Sequence, residues 1–185
     1  MFLDRFKESP KDKLLVLITI IGLVIVLLVY ILIFMPIETS ISTYGILDYE
    51  FAWTQDRAEK IVSVWGVQGR NKELLGIYWD FLFIIGYVAL AFGLIMLVLR
   101  RSEGKIQKLG IYFTVIPFLT GIFDIIENVN LLVMLSTPTS ITAFTPFIAS
   151  ISALIKFGFL FTAIIYFIAG LIILIMRRVK KSKEK

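Results

Sequence analysis

Five residues that ionise or form strong hydrogen bonds interrupt otherwise apolar stretches of this chain: Asp80, Asp124, Glu127, Asn128 and Lys156. Three of them belong to GIFDIIENVN, residues 121–130. At about 100° per helical residue, Asp124, Glu127 and Asn128 fall on one side of a helix, and Gly110, Thr114, Pro117, Thr120 and Gly121 continue that side. Such a set suits three kinds of chemistry. Asp80, Asp124 and Glu127 could hold a hard cation through oxygen. Asp124 and Glu127 could act as acid and base beside Asp80. Lys156 could orient an anionic group while Asn128 donates a hydrogen bond. Asp48, Glu50 and Tyr87 are secondary candidates, the first two from GILDYEFAW, whose secondary structure the pattern leaves ambiguous.

The elements that position these residues are apolar helices. The 185-residue chain is 58% hydrophobic with a mean hydropathy of +0.90, well above a soluble domain. A helix needs about 20 mostly apolar residues to cross a bilayer, and residues 14–35, 77–99, 109–135 and 150–176 meet that need. The expected fold is all-α: a four-helix transmembrane bundle, one integral membrane domain over residues 1–185. The first apolar run is longer than a signal-peptide core and no small-x-small cleavage site follows it, so it is expected to be retained. No internal repeat is visible.

The external loop, residues 36–76, is expected to begin at Pro36 and to carry a short amphipathic helix. Thr54 can cap it and Gly66 can end it. Ala58, Ile61, Val62 and Trp65 share one face of that helix, which should lie on the membrane surface or cap the bundle. Trp53, Trp65, Trp79 and Tyr78 are expected in an external aromatic belt, and Tyr30, Tyr87 and Tyr166 in helix packing.

Lys and Arg number four in residues 1–13, four in 100–108 and six in 177–185, against four in the loop 36–76 and none in 136–149. This asymmetry predicts cytoplasmic N- and C-termini in a plasma membrane. The net charge of +5 then flanks the membrane and meets lipid head groups rather than nucleic acid. Membrane lipids are the expected partners, with a homo- or hetero-oligomer left open.

Depth unites the five residues. At about 1.5 Å per residue, Asp124 lies roughly 22 Å from the inner end of its helix, and Asp80 and Lys156 lie roughly 5 and 9 Å from the outer ends of theirs. One outer polar layer results. A charge at the bilayer centre costs ~2.5–3.5 kcal/mol, so these groups should converge, with Lys156 as counter-ion to Asp124 or Glu127. One lysine cannot balance three carboxylates. A carboxyl must carry a proton, water must enter, or a cationic group must bind. The layer is therefore expected to be an outward-facing pocket for a cation or an amphiphile head group, catalysis included as a use. The alternative is a structural or interaction subunit in which the buried charges only fix packing. A transport path is disfavoured because the inner half is apolar.

With no cysteine and no histidine, disulfides, His/Cys zinc or haem ligation and a histidine-based triad are excluded. No P-loop or GxGxxG occurs. The sequence names no cofactor, and a divalent cation is among those left open.

The segments GILDYEFAWTQDRAEKIVSVWG, YWDFLFIIGY and GIFDIIENVNLL together resemble a set of uncharacterised small prokaryotic four-helix integral membrane proteins sharing an ILDxE…YWDFxF…DxxEN pattern. The resemblance spans residues 45–131 and implies a shared layout without an activity. The long first and short second outer loops are also similar in outline to claudin-type tetraspans, but the cysteine pair and tryptophan motif of that loop are missing here.

Overall fold

A computed structural model describes residues 9–41 and 43–183, and among these every regular element is helical. The chain runs through α1 (Asp12–Val29), a π-helical turn (Tyr30–Phe34), α2 (Met35–Ser40), α3 (Ile46–Glu50), α4 (Gln55–Arg101), α5 (Lys105–Phe113), α6 (Ile116–Ser136) and α7 (Phe144–Lys183). Four stretches, Asp12–Ser40, Gln55–Arg101, Lys105–Ser136 and Phe144–Lys180, are long and apolar enough to cross a membrane. α1 packs along α4, α6 packs along α7, and α4 touches both α6 and α7.

Pro36 does not end the first helix. Its missing N–H and its ring conflict with an α-helical turn before it. The π turn at Tyr30–Phe34 widens the backbone there, and α2 continues to Ser40. The third helix, expected as one piece, is interrupted at Thr114 and Val115, and Pro117 opens α6. Proline is tolerated there because a first-turn N–H has no helical acceptor to lose.

The outer-loop helix forms as its capping chemistry predicts, the Thr54 hydroxyl accepting from the Arg57 N–H at 3.4 Å. It does not stop at Gly66. That residue adopts φ 59° and ψ −167°, a left-handed φ that glycine alone takes at no steric cost, and the helix restarts at once. A single kinked helix therefore joins the loop segment to the long apolar one.

This kink folds the segment over the ends of α6 and α7. Ala58, Ile61, Val62 and Trp65 are buried against Leu131, Met134 and Ala149, so of the two expected placements the structure has the capping one. Trp65 is consequently not a belt residue. Its ring meets Tyr49 edge-on at 4.9 Å and its indole N–H donates to the Tyr44 carbonyl at 2.7 Å. Tyr30, expected in packing, is exposed instead, whereas Tyr166 stacks on Phe113 at 4.6 Å.

The ambiguous GILDYEFAW segment supplies α3 and the sharp exit after it. Trp53 sits at φ 61°, an unfavourable conformation for a bulky residue. Ser150 of α7 holds it there, accepting from the Trp53 N–H at 2.9 Å and donating to the Glu50 carbonyl at 2.7 Å. Ser150→Ala leaves both groups unpaired. A thermal melt in detergent should show a loss of about 1–3 kcal/mol for this variant; a wild-type melt would remove the clamp from this account.

Candidate functional site

The polar layer assembles around Lys156. Its ammonium donates to Asp124 Oδ1 at 2.8 Å and to Glu127 Oε1 at 2.9 Å, and it lies equally close, 2.9 Å, to Glu127 Oε2 without hydrogen-bond alignment. Glu50 Oε2 stands 3.6 Å away on the third side. Tyr87 donates its hydroxyl to Asp124 Oδ2 at 2.8 Å, and the Asn128 amide donates to Asp80 Oδ2 at 2.6 Å. Glu127 is fully buried, and Asp124, Asn128 and Lys156 nearly so.

Each contact follows from helical register. Asp124, Glu127 and Asn128 lie at i, i+3 and i+4 and share one face of α6. That face meets both α7, carrying Lys156, and α4, carrying Asp80 and Tyr87, which lie seven residues, or about two turns, apart on one side of it. All five expected site residues thus come together, with Glu50 and Tyr87 of the secondary set. Asp48 does not join them: it accepts from the Gly45 N–H at 3.1 Å and pairs with Arg57 at 3.4 Å on the exposed side of α3.

The expected hard-cation set of Asp80, Asp124 and Glu127 is not formed. Asp124 and Glu127 close on an ammonium, and Asp80 is held apart by Asn128. Among the described residues no group of three or more acidic side chains is arranged to hold a metal ion.

Beside this network lies a cavity of about 310 Å³. Asp80, Tyr87, Asp124, Asn128 and Lys156 form its polar side, and Phe34, Ile37, Ile77, Phe83, Phe157 and Leu160 its apolar side. Glu50 and Ile46 of α3 also line it, as does the exposed Glu38, so its mouth lies beside α2. Phe34 meets Phe83 edge-on at 5.1 Å, and Phe83 meets Tyr87 at 5.9 Å, making a continuous aromatic wall.

Glu73 is a lining residue outside the expected set of site residues. It shares the α4 face with Gly76 and Asp80, a relation visible in their spacing. It falls just before the expected span, in the loop 36–76, and the continuous α4 carries it inward and buries it. Glu50 is set under the cap by the Ser150 clamp. Burial pushes its carboxyl above the ordinary carboxylate range, against the opposing pull of Lys156.

Comparison of the chain with family models, with curated proteins and with solved structures found no match.

Proposed function

We propose that this is a multi-pass plasma-membrane protein whose four spans form a bundle with cytoplasmic termini, and whose outer polar layer is a pocket for a cation or the head group of an amphiphile. Apolar side chains such as Leu17, Ile20 and Leu28 on α1, Ile31 in the π turn, and Ile165, Ile168 and Ile172 on α7, face outward, as lipid contact requires and aqueous contact does not. Fourteen basic residues on the inner flanks against four in the outer loop support the orientation.

The observation that carries the reading is the cavity itself. A charged network that served packing alone would be expected to close against protein, whereas here its acidic and amide side chains line about 310 Å³ of open space beside an aromatic wall. Long apolar walls with a few convergent polar groups are the makings of a small-molecule site. The mutual pairing of Asp124, Lys156 and Glu127 favours the second reading, a structural subunit, for that part of the network only.

Gly76 gives the test. A Cβ there would meet only the tip of Ile37 at 3.2 Å and Glu73 Oε2 at 3.9 Å, so a large side chain would extend into the cavity. Native mass spectrometry of the full chain in a mild detergent should show a retained amphiphile that Gly76→Phe loses while the melting temperature stays within a few degrees. Equal retention by Gly76→Phe, or an empty wild-type protein after reconstitution in lipid, would overturn the pocket.

A further inference from the structure

The two halves of the polar layer differ in how completely they are satisfied. Around Lys156, Asp124 and Glu127 each receive the ammonium, and Asp124 also receives the Tyr87 hydroxyl. On the α4 side, Asp80 has one donor, the Asn128 amide, on one of its oxygens. Glu73 lines the cavity at 4% exposure and has no hydrogen-bond or ion-pair partner among the described residues. Glu50 belongs to the other half, its Oε2 paired with the Lys156 ammonium at 3.6 Å. A buried carboxylate without a donor is costly, so the α4 half of the cavity lacks the groups that would satisfy it.

Glu73, Gly76 and Asp80 lie at i, i+3 and i+7 along one face of α4, placing two carboxyl groups on either side of the gap left by the glycine. The flanking wall is the Phe34–Phe83–Tyr87 run of rings, with Ile37 beside it. A hard metal ion takes six to eight oxygen ligands, and no such grouping exists among the described residues. An organic ammonium needs fewer acceptors, is attracted to ring faces, and brings carbon that matches the apolar wall.

Resting on the pocket reading above, we infer that the pocket selects an amine-bearing amphiphile, its ammonium between Glu73 and Asp80 at Gly76 and its chain along Phe34, Ile37 and Phe83. No bond is made or broken; the ligand is bound as a cation. The Lys156 side of the cavity repels that charge and sets its orientation, ammonium toward α4.

Binding of dodecylamine, dodecanol, dodecyl sulfate and calcium to the full chain in maltoside micelles tests this, read by isothermal titration. Dodecylamine should bind at least about tenfold more tightly than dodecanol, the scale of a charge-assisted hydrogen bond, and dodecyl sulfate more weakly than either. Glu73→Gln and Asp80→Asn should each remove most of that preference, with Asp56→Asn as an unaffected surface control. The wild-type comparison of amine with alcohol needs no variant, so a misfolded variant leaves the test intact. Dodecanol or dodecyl sulfate bound as well as the amine, and blocked by Gly76→Phe, would overturn the ammonium site and leave the pocket standing. Calcium binding that Glu73→Gln abolishes would likewise replace the amine with a metal. No binding of any probe to the folded wild type would overturn both.

Discussion

Replacing Lys156 by methionine is expected to cost more stability than any other single change in the polar layer, about 3–5 kcal/mol, the range for removing one partner of a buried ion pair. The ammonium meets Asp124 at 2.8 Å, Glu127 at 2.9 Å and Glu50 at 3.6 Å, so its loss strands three acids rather than one. Methionine keeps nearly the same volume and apolar stem, which separates the electrostatic effect from a cavity effect. The acids then repel one another within α6 and between α6 and α3. Thermal unfolding in detergent at neutral pH measures the loss. Combining Lys156→Met with Asp124→Asn and Glu127→Gln should recover much of it, because removing all the charges of a buried pair is far cheaper than removing one. A single variant that melts like the wild type would mean the ammonium is not the layer's counter-ion.

The second large effect is expected at Gly22, far from any charge. A Cβ there would stand 2.6 Å from both the Gly86 carbonyl oxygen and the Leu90 nitrogen. These are backbone atoms of α4 and cannot rotate away, so even Gly22→Ala must push α1 off α4. Overpacking of this kind costs typically about 1–3 kcal/mol, and Gly22→Val should exceed alanine because both helices must separate further. Close approach through small residues is how apolar helices gain packing contacts where burial from water is not available to drive them. Gly158→Ala in α7 is the contrast: nothing lies within 4 Å of its added Cβ, and relief of glycine's poor helix propensity should leave stability unchanged or raised by up to about 1 kcal/mol. Equal melting of the two alanine variants would show that the α1–α4 contact yields freely.

The convergence of the five polar residues was legible in the sequence because charge is scarce in these helices and each charge has a fixed angular and axial place. Asp124, Glu127 and Asn128 declare their common face by spacing alone, and depth pairs them with Asp80 and Lys156. What spacing could not supply was the response of the backbone to its helix breakers. Gly66 carries the chemistry of a helix end, yet a one-residue left-handed excursion lets the next helix begin without a loop. That single residue decides that Trp65 is core and that Glu73 lines the cavity. Glu50 was illegible for a different reason. Its position depends on Ser150, about a hundred residues away in sequence, gripping the two backbone groups around it. Counting carboxylates likewise does not say which space the lysine fills: Lys156 stands where a cation ligated by Asp124 and Glu127 would stand.

The π turn in the first helical stretch has a consequence for phase. Leu15, Gly22 and Val29 are the buried residues of α1, each seven positions after the last, and an unbroken continuation would next turn Pro36 toward α4. The wide turn takes up one extra residue, so the inward position passes to Ile37. Ile37 is half-buried and lines the cavity while Pro36 is exposed. The same one-residue slip that accommodates a proline therefore aims an aliphatic side chain, instead of a ring without a donor, at the gap beside Gly76. The seam between the two helices changes register where the cavity begins, and the cavity's lip is a product of that change.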